Sequence, residues 1–228
     1  GGAAYKGGGG GGHADADLNG VSGGAGAGGA AGGGEYASTN TFSAPLSPDD
    51  ISMGFGGGGG GGGKVATVSG AGGAGGGSIY IEARYITITG TVTAGGSNGG
   101  SGINPVDGAN IPGGGGGGSG GSILLKSYGS IILDNSYLIS DGGAGGYSVG
   151  ADFGDTPNPG GGGAAGRIKM VYRTASFGQI VISTAAGLGG IEFIGGNPGA
   201  AGSSGTVSYG IIASSPSGFS VAEVFSTS

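Results

Sequence analysis

SIYIEARYITITGTVTA, residues 78–94, alternates apolar with polar side chains in three short runs, Ile79–Ala83, Ile86–Thr89 and Thr91–Ala94. A period of two is the signature of a strand that buries one face. Three further blocks of this kind each follow a glycine: SILLKSYGSIILDNSYLIS from Ser122, RIKMVYRTASFGQIVIST from Arg167 and TVSYGIIA from Thr206. Their starts lie 44, 45 and 39 residues apart, and a degenerate earlier copy starts at Glu35. A recurring unit of this size marks a repeat architecture. With the starts aligned, the second position is Ile79, Ile123, Ile168 and Val207, and the fourth is Ile81, Leu125, Met170 and Tyr209. The third position, Tyr80, Leu124, Lys169 and Ser208, is mixed. The shared register predicts equivalent strands stacked on one another, with Glu82 opposite Lys126 as a favourable cross-strand pair.

Between the blocks the chain is mostly glycine: 70 of 228 residues, with 8 Pro, no Cys and no Trp. Ordering glycine costs more backbone entropy than ordering any other residue, and it brings no side chain to bury. The runs at 7–12, 56–63 and 113–118 must recover that cost through main-chain hydrogen bonds. A bundle of extended threefold helices allows this, with three residues per turn and N–H and C=O groups pointing to neighbours. Collagen is excluded by the missing Gly-X-Y period and the low Pro. A disulfide scaffold is excluded by the absence of Cys. No apolar run reaches the ~20 residues of a membrane-spanning helix. The net charge of -6 without a basic patch argues against nucleic acid.

These features predict an all-β chain with almost no α-helix: a glycine-rich, β-solenoid-like repeat with packed polyglycine-II-type helices. Residues 1–77 form a glycine-rich region with a degenerate repeat, 78–216 the repeats of about 44 residues, and 217–228 a C-terminal strand. Ser47-Pro48-Asp49-Asp50-Ile51 reads as a single helical turn, with Ser47 as N-cap and Pro48 in the first turn.

Chemistry-bearing candidates are few. Asp15-Ala16-Asp17-Leu18-Asn19-Gly20 matches the first half of a calcium loop, so Asp15, Asp17 and Asn19 are the candidate Ca²⁺ ligands. Position twelve of that loop is Gly26, where a bidentate Glu belongs, and the competing reading is a polar turn around Asn19-Gly20. Gly63-Lys64-Val65 lacks the hydroxyl residue that a phosphate loop needs after its lysine. His13 lies near Asp15 but has no nucleophile-elbow context. With no grouped Asp, Lys and Arg, the chain reads as a non-enzyme without a further cofactor. Thr87, Thr89, Thr91 and Thr93 form a hydroxyl row that the later blocks do not continue, and they read as outward strand residues. Tyr80, Tyr85, Tyr128, Tyr137 and Tyr147 are either strand surface or a rim for a sugar or a partner.

The stretches GGGSIYI at 75–81, GSGGSILL at 118–125 and GGGAAGRI at 161–168 resemble glycine-rich β-helical repeat proteins of microbial surfaces. The long glycine runs are similar to the polyglycine-helix sandwiches of phage tail-fibre tip adhesins. The resemblance implies an extracellular or cell-surface location and a structural or adhesive role. The leading expectation is a subunit that self-assembles into a filament or surface layer by strand-edge pairing, with Phe219, Val221 and Val224 at the joint. The alternative is a host- or glycan-binding adhesin that presents loops such as Asn104–Ile111 and Tyr147–Pro159 on a polyglycine scaffold.

Overall fold

The computed structural model describes residues 7–12, 14–15, 24, 26, 36–37, 57–60, 62, 69–103, 112–149, 158–191, 197–212 and 221–227. They hold ten strands and no helix: β1 Ala14–Asp15, β2 Tyr36–Ala37, β3 Ser78–Thr93, β4 Gly102–Ile103, β5 Ser122–Ile139, β6 Ser148–Val149, β7 Arg167–Phe177, β8 Ile180–Ser183, β9 Thr206–Ile212 and β10 Val221–Thr227. The four apolar blocks join in one sheet, ordered β10-β9-β7-β5-β3, with β8 continuing the path of β7 along β5. Pairing is parallel throughout except at β10, which runs antiparallel to β9. The register follows the aligned repeat. Ser78, Ser122, Arg167 and Thr206 sit side by side, as do Ile81, Leu125, Met170 and Tyr209.

The long strands are not straight. Eighteen extended residues would span about 60 Å. Yet Ser140, just after β5, donates its Oγ to the carbonyl of Gly121, just before β5, at 2.7 Å. β5 therefore doubles back on itself and returns beside its own start, and so does β3, whose flanking residues Gly76 and Ala94 lie together. The bends fall where the pairing slips, between Ala83 and Tyr85 and between Ile88 and Gly90 in β3. The three short runs of the first block are thus one strand broken by two irregularities. At the first bend Ser127 Oγ donates to the carbonyls of Arg84 and Ser130, at 2.9 and 3.0 Å. At the second bend Gly90 (φ 126°) and Asn135 (φ 46°) take left-handed conformations, which Gly and Asn tolerate best.

Folding these blocks inward gathers one apolar core. Ile123, Leu125, Ile131, Leu133 and Leu138 of β5 stack between Ile79, Ile81, Ile86, Ile88 and Val92 of β3 on one side and Ile168, Met170, Ile180 and Ile182 on the other. A smaller cluster of Leu124, Val171 and Ile212 lies on the opposite face of the sheet. Of the expected earlier copy at Glu35, only Tyr36–Ala37 fall among the described residues. They pair with Ala14–Asp15 in a two-stranded ladder.

The glycine-rich segments lie alongside one another, and their hydrogen bonds repeat every third residue. In segment 112–121, Gly114, Gly117 and Gly120 donate to the carbonyls of Asn158, Gly161 and Ala164. Gly115, Gly118 and Gly121 donate to Gly100, Ser97 and Ala94, while Gly116 and Ser119 donate to Gly60 and Gly57. The carbonyls along this segment accept from Gly8 and Gly11, from Gly70, Gly73 and Gly76, and from Gly143 and Gly146. One bare segment thus bonds to six neighbours around its circumference. Segment 158–166 is enclosed in the same way by 8–11, Gly24, 114–120, 140–146, 187–190 and 200–203.

Direction alternates along the chain. Segments 7–12, 70–77, 112–121, 158–166 and 197–205 run toward the sheet, and 57–60, 94–102, 140–148 and 184–190 run away from it. Glycine is required in the interior by space rather than by backbone angle. A Cβ at Gly116, Gly117 or Gly118 would lie 1.9, 1.9 and 2.0 Å from the carbonyl oxygens of Gly9, Gly143 and Ala74, three different neighbours. Segments drawn from residues 1–77 belong to this same bundle, since Gly8 and Gly11 bond to Gly114 and Gly117 at 2.8 Å.

Candidate functional site

Three surfaces stand out. The first is the pair of end faces of the strand stack. In β5 the inward residues Ile123, Leu125, Ile131, Leu133 and Leu138 are sealed on both sides, at 0–1 % exposure. Their counterparts in β3, namely Ile79, Ile81, Ile88 and Val92, are only half-buried, because no strand among the described residues lies beyond them. At the other end Ile180 and Ile182 are also half-buried, and Phe177 is exposed. There the Phe177 ring meets Tyr172 edge to face, with centroids 6.0 Å apart. β3 and β10 are the outermost strands of the sheet, and an outermost strand offers unpaired main-chain groups to a partner.

The second surface is a cluster on the outer face at the first bend. Glu82 of β3 and Lys126 of β5 sit opposite each other and form an ion pair at 3.4 Å. The hydroxyls of Tyr80 and Tyr128 both donate to the Glu82 carboxylate. Hydrogen bonds from Tyr128 and then Tyr80 hold the Glu82 carboxyl below the usual glutamate range, and Lys126 adds to the effect. Burial, followed by the bond to Glu82, raises the Tyr80 phenol. Lys126 lies 5.2 Å from the centre of the Tyr128 ring, and Arg84 stacks similarly on Tyr85 at 5.3 Å. The carboxylate meets three donors at once, so the cluster fastens the first two turns of the stack together.

The third surface is the end of the glycine bundle remote from the sheet. Segments 94–102, 140–148 and 184–190 all descend to it, and 112–121, 158–166 and 197–205 all start from it. The joining stretches 104–111, 150–157 and 192–196 lie outside the described residues. Their sequences hold Asp107, Asp152, Asp155 and Glu192 but no Lys or Arg.

Of the expected calcium ligands, Asp15 sits in β1 opposite Ala37. Asp17 and Asn19 lie outside the described residues, as do Phe219, His13, Lys64 and the stretch 47–51. Among the described residues no three His, Asp or Glu side chains gather as a cation site. Val221 and Val224 lie in β10 opposite Ile212 and Gly210, so the C-terminal strand pairs within its own chain. Of the five tyrosines, Tyr80 and Tyr128 converge on Glu82, while Tyr85, Tyr137 and Tyr147 stand apart with 47–63 % exposure.

One feature is missed by a reading that counts only glycine runs. In the outer segments the larger residues recur every third position: Asp141, Ala144 and Tyr147, then Ala185, Leu188 and Ile191. These rows face outward. Leu188 and Ile191 are 72 % and 57 % exposed. Between them Gly143 and Gly187, at the inward positions, would place a Cβ 2.0 Å from a neighbouring carbonyl. A period of three in side-chain size is the signal, and it is legible in the sequence.

No helix among the described residues is long and apolar enough to cross a membrane. No family model, curated protein or solved structure matches this chain.

Proposed function

We propose that the chain is a β-solenoid braced by polyglycine-II-type helices, and that it is a structural subunit joining identical copies into an extracellular filament or surface layer. The observation that carries this reading is the contrast between a sealed middle turn and half-open end turns. Leu133 is fully buried, whereas Ile88 on one side of it is half-buried and Phe177 on the other is 43 % exposed. Stacking a second copy on either end would continue the apolar column and pair the outermost strands. Two unlike ends joined head to tail grow without closing. Val221 and Val224 lie in the outermost strand β10, on the route of such a joint. The likeness to glycine-rich β-helical surface proteins points the same way. So does the scarcity of charge, with 7 Lys and Arg and 13 Asp and Glu in the whole chain.

The test is negative-stain imaging of purified protein beside two variants, Ile88→Lys and a deletion of 217–228. Micrometre filaments from the parent are expected. Ile88→Lys should give discrete particles with an unchanged far-ultraviolet circular dichroism spectrum. Discrete particles from the parent at every concentration would refute assembly. Unchanged polymers after the deletion would refute the part given to the tail.

A second reading has its own observation: among the described residues, 94–102, 140–148 and 184–190 end, and 112–121, 158–166 and 197–205 begin, at the same end of the bundle. A scaffold that gathers its connections on one rigid face suits an adhesin that displays them to a host surface or glycan. Discrete particles that adhere to cells, and lose adhesion when 104–111 is replaced by Gly and Ser, would favour it.

A further inference from the structure

The second bend carries a concavity that neither reading uses. Asn135, Ser136 and Tyr137 of β5 and Gly178, Gln179, Ile180 and Val181 of the next turn line a half-open cleft of about 420 Å³. This lies within the size range of small-molecule sites. Its chemistry is mixed in a particular way. Asn135, Gln179, Tyr137 and Val181 are exposed at its rim, with Tyr137 at 47 % and Val181 at 49 %. Tyr137 and Val181 are direct cross-strand partners, so they form one continuous apolar strip. Asn135 is held in a left-handed conformation by the bend, and its amide N–H donates to Asp134 at 3.3 Å. That leaves its second N–H and its carbonyl oxygen for a ligand. Ser136 lines the cleft with 1 % exposure, and its Oγ has no hydrogen-bond partner.

We infer that this cleft binds a neutral sugar unit. Two amides offer donors and acceptors together, as paired hydroxyls require. A half-exposed tyrosine ring beside a valine offers an apolar platform for the C–H face of a pyranose, with a polar tip next to it. Among the described residues no cationic side chain lines the cleft, and the Asp134 carboxylate at its edge disfavours an anion. The inference rests on neither reading above. The cleft lies on the sheet, away from the bundle end that gathers the connections, and it shares Ile180 with one end face of the stack.

The experiment is saturation-transfer NMR on the full chain with millimolar cellobiose, maltose, lactose and mannobiose, and with glucuronate as an anionic comparison. Transfer to at least one neutral disaccharide and none to glucuronate is expected. The signal should fall at least tenfold in Tyr137→Ala and in Gln179→Ala, and stay unchanged in Leu188→Ala, which removes a still more exposed apolar side chain elsewhere. Two variants are used so that a folding defect in one leaves the other decisive. Three results would overturn the inference: no transfer to any neutral sugar, transfer to glucuronate alone, or transfer that survives in both cleft variants. Filament imaging of the same samples reports separately on assembly.

Discussion

Replacing Gly117 by Ala tests whether main-chain packing holds the glycine bundle together. A Cβ there would lie 1.9 Å from the Gly143 carbonyl oxygen and 2.5 Å from its carbon. Ordinary contact would require the two segments to separate by more than an ångström. Two bonds span them and depend on their spacing: Gly143 to Gly118 and Gly146 to Gly115, both at 2.8 Å. Each is worth roughly 1 kcal/mol net, and the overpacking adds about 1–3 kcal/mol of its own. The expected loss is about 3–5 kcal/mol, a large part of the roughly 5–15 kcal/mol that holds a typical domain. It would appear as a fall of roughly 10 °C in the melting midpoint. The matched control is Gly77→Ala. Nothing lies within 4 Å of a Cβ at Gly77, and its φ is outside the left-handed region. That variant should be neutral or stabilising by up to about 1 kcal/mol, since Ala has fewer unfolded conformations to lose. Urea unfolding curves of the parent and both variants give the comparison. Equal midpoints for Gly117→Ala and Gly77→Ala would refute the close-packed bundle.

Further outcomes are open to measurement. Leu125→Ala empties the centre of the core, where the side chain is fully buried, and should cost about 2–5 kcal/mol in urea unfolding. Ala144→Ser, on an outward row, should stay within about 0.5 kcal/mol of the parent. Gly143→Ala, one residue earlier, would press 2.0 Å onto the Ser97 carbonyl and should melt markedly lower. The Glu82 carboxyl, held down first by Tyr128 and then by Tyr80, gives stability that is complete above the ordinary glutamate range and is lost as pH falls through its lowered folded value. The urea midpoint of Glu82→Gln should therefore depend less on pH on the acid side than that of the parent. Parallel acid limbs would sink that account.

The strand stack could be read in the sequence because its side chains report on it. A period of two places Ile79, Ile81 and their equivalents inward, and the four aligned starts fall in one register. The pairing of Glu82 with Lys126 follows from that register alone. The bends were legible only as interruptions. The phase of alternation changes between Ala83 and Ile86, but local pattern does not say that 18 residues of β5 return to within a hydrogen bond of their origin. The bundle was legible as a need for main-chain bonding, whereas its connectivity was not. Gly115, Gly116 and Gly117 are chemically identical, and which neighbour each one meets depends on the packing of segments far apart in sequence. The cleft at the second bend was hidden for a similar reason. Asn135 and Gln179 belong to different repeats and become neighbours only when the turns stack.

The enclosed segment at 113–118 also constrains heredity. Any single-base change that replaces a glycine codon introduces at least a Cβ, and most of these positions have a carbonyl oxygen waiting about 2 Å away. Such a gene can drift at the outward rungs, one residue in three along the outer segments, and has almost no room to drift within. Over long descent its lineage would diversify at the periphery around a nearly invariant glycine axis, much as a crystal accepts new faces but not new atoms in its lattice.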